Sequence, residues 1–184
     1  MSFDFAPSLQ SDSLELRPLA AADRDALHAA ASDPATWAGH PATERWNRAV
    51  FDPYVDFLLK AGGTLVAIDR ASGRIVGCSR FYVPPEQPDG IAIGFTFLDR
   101  AFWGGRTNFE MKRLMLGDAF AHVPEVWFHI APTNIRSQTA TGRLGATYVD
   151  TREIDLAGSG TPVPNMRFRL DRATWAAKLK ERAA

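Results

Sequence analysis

The segment that most constrains this chain runs from Ile91 to Ala121 and reads IAIGFTFLDRAFWGGRTNFEMKRLMLGDAFA. Its residue pattern predicts a strand, then a glycine-containing turn, then an amphipathic helix. The start of a helix presents unpaired backbone N–H groups and the positive end of the helix dipole, so it can bind phosphate. The segment therefore predicts a strand–turn–helix unit that suits a nucleotide-like cofactor.

The composition favours a single cytoplasmic domain. A chain of 184 residues fits one domain, and 21 basic residues balance 21 acidic ones, which argues against a general nucleic-acid binder or a polybasic membrane binder. The only cysteine, Cys78, excludes an intramolecular disulfide and suggests a reducing compartment. The first residues lack the basic and apolar regions of a signal peptide, and no apolar run approaches membrane-spanning length.

The order of predicted elements indicates one sheet with helices on both faces. Residues 1–12 read as a loose N-terminal arm and residues 172–184 as a C-terminal helix. Because helices interleave with strands, the fold class is α/β (α+β), and three consecutive central strands predict a mixed sheet within one domain, 1–184. The predicted strands are Leu14–Leu19, Thr64–Asp69, Ile75–Val83, 90–98, Glu125–Ala131, Thr147–Ile154 and Asn165–Leu170. The other predicted helices are Ala20–Ala31, Phe51–Lys60, Thr107–His122 and Ser137–Ala146.

The turn between the central strand and helix has two interpretations. Its glycines allow close approach of a ligand, so its backbone N–H groups could bind a pyrophosphate with Arg106 as an added cation. Alternatively it is an ordinary strand-to-helix turn with Thr107 or Asn108 as the N-cap. It is neither a P-loop nor a GxGxxG fingerprint. The residues of the turn are Trp103, Gly104, Gly105, Arg106, Thr107 and Asn108.

A second polar stretch, HIAPTNIRSQTATGRLGATYVD, places Asn134 and Ser137 between a strand and a short helix. Asn and Ser are common helix caps, and capping alone would explain them. Considered together, the two stretches indicate more than either does separately.

The chain resembles the GNAT superfamily of acyl-CoA-dependent N-acetyltransferases and, within it, the RimJ/RimL-like branch. The resemblance covers about Leu14 to about Trp175 in matching order and spacing. The matching pieces are LELRPL, GRIVGCSRFYV, IAIGFTFLDRAFWGG, NFEMKRLMLGDAF, NIRSQTATGRLGA and LDRATW.

The resemblance implies a mixed, mostly antiparallel sheet of about seven strands and acetyl-CoA as co-substrate. In the family, the fourth and fifth strands splay apart at a bulge and the pantetheine arm lies in the gap. Asn134 matches a position that contacts the pantetheine, and Ser137 matches the residue proposed to protonate the leaving thiolate. The turn from Trp103 to Asn108 would hold the pyrophosphate, and the strand residues along the arm would be Phe95, Thr96, Phe97 and Leu98.

The turn departs from the family pattern, because Arg106 and Asn108 stand where small residues are typical. A left-handed conformation at Arg106 would cost about 1 kcal/mol. This departure leaves a rival interpretation open, in which the fold binds acyl-CoA or a protein partner without turnover.

Acetyl transfer to an amine needs a group that removes the ammonium proton and a donor for the leaving thiolate. For the base, Asp155 is the nearest carboxylate in spacing, with Asp150 and Glu153 on the same predicted strand and a water relay as alternatives. His129 could face the acceptor cleft, or be a hydrogen-bonded structural histidine. The histidines and Cys78 have no metal-ligand spacing, so no metal is expected.

The irregular stretch between the first two helices carries Trp37, His40 and Trp46. The resemblance implies that this region walls the acceptor site, whereas tryptophans that fill the edge of the core are the alternative. The acceptor would be a protein N-terminus or a small-molecule amine such as an aminoglycoside, amino acid or polyamine. The sequence leaves the oligomeric state open: many relatives form a homodimer, but no surface patch in this sequence indicates one.

Overall fold

The structure, a computed structural model, describes residues 3–183 and arranges them around one eight-stranded sheet. The strand order is β1-β2-β3-β4-β5-β6-β8-β7, and every pair of neighbours is antiparallel except β5 and β6. This confirms a mixed, mostly antiparallel sheet, with eight strands where about seven were expected. The strands are β1 (Leu9–Gln10), β2 (Leu14–Pro18), β3 (Thr64–Asp69), β4 (Arg74–Tyr82), β5 (Ile91–Leu98), β6 (Glu125–Ile130), β7 (Thr147–Ile154) and β8 (Val163–Asp171).

Helices cover both faces of the sheet, as predicted. Two of them, α1 and α3, pack on one face over Val66, Cys78 and Phe97. On the other face α4 packs over Phe81 and Ile93 through its buried methionines and leucine. The helices are α1 (Arg24–Ala31), α2 (Pro34–Trp37), α3 (Arg48–Ala61), α4 (Thr107–His122), α5 (Ile135–Gly142) and α6 (Arg172–Ala183).

Several local features differ from the sequence pattern, and α3, for example, begins at Arg48 rather than Phe51. Part of the segment predicted as an arm, Leu9–Gln10, pairs with β2. Helix α2 was not predicted, and it begins where Asp33 accepts a hydrogen bond from the Ala35 N–H and a proline occupies the first helical position. Helix α5 begins two residues before Ser137 because Asn134 is its N-cap. Met1 and Ser2 of the predicted arm and Ala184 of the predicted last helix lie outside the described residues.

The sheet opens between β5 and β6. These strands pair only at Ile91 with Val126 and at Ala92 with Trp127, and then separate. Close to the point of separation the β4–β5 register shifts, and Phe95 has a φ of +52°, a left-handed conformation that is rare for a bulky residue. The bulge turns the second half of β5 away from β6, and no other strand within residues 3–183 pairs with that edge.

Across residues 3–183, none of the helices has both the length and the apolar character needed to span a bilayer.

Candidate active site

The part of β5 beyond its last pair with β6 contains the four strand residues that the family resemblance indicated. Along β5, Phe95 is half-buried and Thr96 is exposed, whereas Phe97 and Leu98 are buried. The Phe95 carbonyl accepts long hydrogen bonds from the Tyr54 hydroxyl (3.4 Å) and the Cys78 thiol (3.7 Å) on the α3 side. Side chains on the α3 side therefore contact the bulge at the Phe95 carbonyl, while the free edge of β5 faces the gap.

The turn at the end of β5 leads into a helix start that has no side-chain cap. Gly104 has a φ of +70°, and Arg106 is in the right-handed helical region at φ −84°. A Cβ at Gly104 or Gly105 would meet nothing within 4 Å. Because no side chain caps α4, the N–H groups of its first turn face the exposed turn. Arg106 is not left-handed, so the strain considered for it does not arise.

Helix α5 lies beyond β6, and its first turn carries the two polar residues of the second motif. The Asn134 side chain accepts a hydrogen bond from the Ser137 N–H at 3.2 Å, so Asn134 caps the helix. The Ser137 hydroxyl is half-buried and makes no hydrogen bond to any residue between 3 and 183. It is therefore available to a ligand.

Tyr82, His129 and Glu86 form a hydrogen-bonded chain on the face of the sheet opposite α4. The Tyr82 hydroxyl lies 2.7 Å from His129 Nδ1, and His129 Nε2 lies 2.7 Å from Glu86 Oε1. Gly94, next to the bulge, touches this chain, because a Cβ there would lie 3.0 Å from the Tyr82 ring and 3.2 Å from its oxygen. The tyrosine hydroxyl therefore lies where β5 and β6 separate.

The pKa shifts of Tyr82, His129 and Glu86 indicate the direction of the hydrogen bonds among these three residues. Burial lowers the pKa of His129 against the opposing effect of Glu86, so the imidazole is neutral near pH 7. For Glu86, burial favours the neutral acid, but the hydrogen bonds from His129 and Arg167 outweigh it and the pKa falls. His129 Nε2–H therefore donates to the Glu86 carboxylate, and Nδ1 accepts from the Tyr82 hydroxyl. Burial also raises the pKa of Tyr82, so the hydroxyl keeps its proton.

A buried arginine makes hydrogen bonds to the Glu86 end of the Tyr82–His129–Glu86 chain. Arg167 on β8 donates to Glu86 at 3.3 Å and makes two bonds to Asp150, at 2.5 and 2.6 Å. The Arg167 guanidinium lowers the pKa of Asp150 to about 2. Asp150 is thus committed to an ion pair, and Glu86 Oε2 is a buried oxygen without a hydrogen bond in the part of the chain that the structure describes.

Asp155, the carboxylate expected to act as base, caps the β7–β8 loop. Its oxygens accept bonds from the N–H groups of Ser159 (3.0 Å) and Gly160 (2.6 Å), and from the Ser159 hydroxyl. The hydrogen bonds from Ser159 and Gly160 lower the pKa of Asp155. An occupied carboxylate with a lowered pKa is a weaker base than a free one.

The three residues expected at the acceptor wall lie in different surroundings. Trp37 is only 2% exposed, donates to the Ala31 carbonyl at 2.8 Å and packs on Phe97, so it is part of the core. His40 lies against Trp37, and burial together with Arg45 and Arg136 lowers its pKa to about 4. Trp46 is 36% exposed.

Lys112 on α4 reaches the same bulge from the opposite face. Its ammonium donates to the hydroxyls of Ser79 (2.9 Å) and Thr96 (2.7 Å), and none of its hydrogen bonds within residues 3–183 goes to a carboxylate. Burial lowers the pKa of Lys112 to about 7. The lysine joins the two strands at their register shift and so supports the shape of the bulge.

Sequence reasoning missed Tyr82, Glu86 and Lys112 as site residues. Tyr82 ends an apolar strand and Glu86 lies in a proline-rich loop, so neither has a local signal. A charged residue on the buried side of α4, with Met115 and Leu116 three and four residues further on, is the signal that could have revealed Lys112. No group of three or more His, Cys, Asp or Glu side chains within residues 3–183 is arranged to hold a metal ion.

Comparison with known proteins agrees with this architecture. Residues 13–147 match the family model described as an acetyltransferase (GNAT) domain. No protein with a curated description matches the sequence. A GCN5-related N-acetyltransferase from Brucella melitensis superposes with a TM-score of 0.77 at 20% identity, over 95% of this chain and 83% of that chain.

Two further solved structures share the fold at lower identity. The GNAT-family acetyltransferase from Bacillus anthracis has a TM-score of 0.68 at 15% identity, over 90% of this chain and 98% of that one. Mycobacterium smegmatis RimJ, in complex with CoA-disulfide, has a TM-score of 0.65 at 14% identity, over 97% and 94%. At these identities the structural likeness shows the fold alone, whereas the family model spans most of the chain. The chain therefore belongs to the GNAT acetyltransferases, a family that uses acetyl-CoA.

Proposed function

We propose that this protein transfers the acetyl group of acetyl-CoA to a primary amine by direct attack on the thioester. The observation that carries the proposal is the opening of the sheet at Phe95 with the Tyr82 hydroxyl beside it. The pantetheine arm would lie along Phe95–Leu98, near Asn134. The turn from Trp103 to Asn108 would bind the pyrophosphate through the uncapped N–H groups of α4.

The Tyr82–His129–Glu86 chain would remove the proton from the acceptor's ammonium. The Tyr82 oxygen accepts this proton while its own proton moves to His129 Nδ1, and the resulting imidazolium is stabilised by the Glu86 carboxylate. The free amine then attacks the thioester carbonyl carbon. Asp155 remains the competing candidate for the base, and the two assignments are distinguished below.

The second half of the reaction breaks the bond between carbon and sulfur. As the C–N bond forms, negative charge builds on the carbonyl oxygen, and an unpaired N–H on the edge of β5 would donate to it. As the intermediate collapses, the thiolate leaves, and the second proton of the nitrogen passes through water to the Ser137 oxygen, where it replaces the proton that Ser137 gives up. The Ser137 hydroxyl, which has no other partner among residues 3–183, would donate the proton that the thiolate takes up.

The rival function, a module that binds acyl-CoA without turnover, rested on the altered turn. Arg106 takes an ordinary right-handed conformation, so the altered turn does not favour that rival. Placement in the RimJ/RimL-like branch is part of the proposal, and the Mycobacterium smegmatis RimJ neighbour is consistent with it. The cytoplasmic location stays a prediction, and the oligomeric state stays open.

Acetyl-CoA titration followed by calorimetry and by Trp103 fluorescence tests the donor site. Release of free CoA thiol with a panel of peptides and small amines then tests turnover. We expect binding, and acetylation of at least one amine. Binding without transfer to any amine would support the non-catalytic module, and the absence of binding to any CoA derivative would reject the donor site itself.

A further inference from the structure

Arg80 is a buried cation with no carboxylate partner among residues 3–183. It lies on β4 two residues before Tyr82, on the same face of the sheet, and is 9% exposed. Its Nε donates to the Gly62 carbonyl at 2.7 Å and its Nη2 to the Ala61 carbonyl at 3.1 Å. Nη1 has no hydrogen-bond partner in the described part of the chain, so one side of the guanidinium remains open.

The remaining surroundings of Arg80 are aromatic. The guanidinium carbon lies 5.2 Å from the Phe95 ring, 5.5 Å from the Tyr82 ring and 5.7 Å from the Phe57 ring. Aromatic faces and carbonyls offset a buried charge only in part, and burial lowers the pKa of Arg80. Capping the end of α3 does not require a buried arginine, because an exposed cation there would do the same.

Arg80 and Tyr82 share a cavity. The cavity is an open groove of about 490 Å³, and among residues 3–183 neither aspartate nor glutamate lines it. The Phe5 and Leu156 side chains form apolar parts of its wall. A second cation on this face, Arg45, lies 3.8 Å above the Tyr54 ring and pairs with no carboxylate among residues 3–183. By contrast, Glu86, whose charge acts on Tyr82, is already paired with His129 and Arg167.

We propose that the acceptor is a small amino acid-like molecule whose carboxylate binds Arg80 while its ammonium faces the Tyr82 hydroxyl. This rests on the proposed acetyl transfer and names the substrate class of the same site. A carboxylate supplies the two oxygens that the guanidinium fork prefers and neutralises the buried charge. A protein N-terminus carries an amide where an amino acid carries this carboxylate, so it would leave Arg80 unpaired.

The test compares matched acceptors that differ only in this carboxylate, such as glycine with glycinamide and leucine with leucinamide, by release of CoA thiol. We expect kcat/KM to be at least tenfold higher for the amino acids. Because the amides are less basic and offer more free amine at a given pH, this comparison is biased against the proposal. Equal or better use of the amides, or a preference for peptides, would overturn it and leave acetyl transfer intact.

Substitutions at Arg80 test whether this residue causes the preference for acceptors with a carboxylate. Arg80→Met should raise KM for the amino acid at least tenfold, leave kcat/KM for the amide within twofold, and leave acetyl-CoA affinity unchanged, with Arg80→Lys intermediate. The control is Lys60→Met, which removes an exposed cation from the last turn of α3. Equal losses with both acceptors would mean that Arg80 is structural and would overturn the proposal. If Arg80→Met does not fold, the wild-type comparison still decides, whereas failure of acetyl-CoA to bind would reject the donor site instead.

Discussion

The Tyr82 hydroxyl reaches the parted strands because Gly94 has no side chain. A Cβ at Gly94 would lie 3.0 Å from the Tyr82 ring, so an alanine there would push the ring away from His129. The proton relay consists of Tyr82 on β4, His129 on β6 and Glu86 in the loop after β4. Hydrogen bonds join Tyr82 to His129 and His129 to Glu86. A change at one of them should therefore affect proton transfer more than ligand binding.

Removal of the Tyr82 hydroxyl tests which group is the base. We expect Tyr82→Phe to lower kcat about 100-fold or more, in the range for loss of general base catalysis, with acetyl-CoA affinity unchanged. Asp155→Asn should lower kcat less than tenfold, because that carboxylate is already bound by loop N–H groups. Steady-state kinetics with both variants decide the question, and the opposite order of losses would assign the base to Asp155.

The pH profile gives a second test at His129. Burial lowers the pKa of this imidazole, so the acid limb of kcat/KM should lie below the ordinary histidine value of 6.5. Activity falls there as pH falls, because a protonated Nδ1 cannot accept the Tyr82 proton. Glu86 raises the pKa of His129, so Glu86→Gln should shift the limb to still lower pH. A limb that moves upward, or does not move, would contradict the proposed relay.

Lys112 makes the stability of the fold depend on pH. Its folded pKa, about 7, lies below the ordinary 10.5, so between these values the unfolded chain binds more protons and stability rises with pH. Lys112→Met removes this dependence. The quantity to measure is the free energy of unfolding of the variant minus that of the wild type. We expect this difference to be larger at pH 7 than at pH 10, by on the order of a few kcal/mol.

Urea denaturation at pH 7 and pH 10 measures the Lys112 effect as a difference between the two proteins, so titrations common to both cancel. The lost bonds to Ser79 and Thr96 add an offset but no pH dependence. A constant difference across this range would mean that Lys112 titrates normally in the folded protein.

Among elements, the strand–turn–helix unit was predictable and the opening beside it was not. Thr107–His122 was predicted with the observed bounds, because a run of good helix formers between the glycine turn and Pro124 is a local signal. The bulge depends on the backbone of Phe95 and on the register against β4, to which the identity of the residue gives no clue. The splayed strands were predicted from the family resemblance and not from the local residue pattern. Neither source predicted Tyr82 and Glu86 as the hydrogen-bond partners of His129, because these partners are distant in sequence.

Two adjacent glycines in the turn allow a matched test of the pyrophosphate site. Gly104 has a φ of +70°, whereas Gly105 has no positive φ, and a Cβ at either would meet open space. Gly104→Ala places a side chain in a conformation that costs roughly 1–2 kcal/mol and should displace the N–H groups of the turn. We expect the Kd for acetyl-CoA to rise several-fold in Gly104→Ala and to change less than twofold in Gly105→Ala, by calorimetry. Equal effects would mean that the turn does not bind the donor.

At the scale of the whole molecule, few backbone pairs join the two parts of the sheet, although α4 packs on both. The part from β1 to β5 meets β6, β8 and β7 through two residue pairs between β5 and β6. The hydrogen bonds from Tyr82 through His129 and Glu86 to Arg167 cross this junction. Arg136 of α5 also crosses it, because it donates to the Thr36 carbonyl at 2.7 Å and lies 4.0 Å over the Trp103 ring. A donor in the gap would add contacts to both parts at once.

Acetyl-CoA should therefore stabilise the entire fold rather than one loop. At a concentration near 100 times Kd, mass action contributes about 2.7 kcal/mol, which corresponds to a rise in Tm of roughly 5–10 °C for a chain of this size. Differential scanning calorimetry with increasing acetyl-CoA measures the rise in Tm. Because Gly104→Ala should bind acetyl-CoA more weakly, this variant should need more ligand for the same rise in Tm. Hydrogen exchange completes the test, because protection should increase along both β5 and β6. Protection confined to the turn, with Tm unchanged, would place the ligand outside the gap and remove the basis of the proposed reaction.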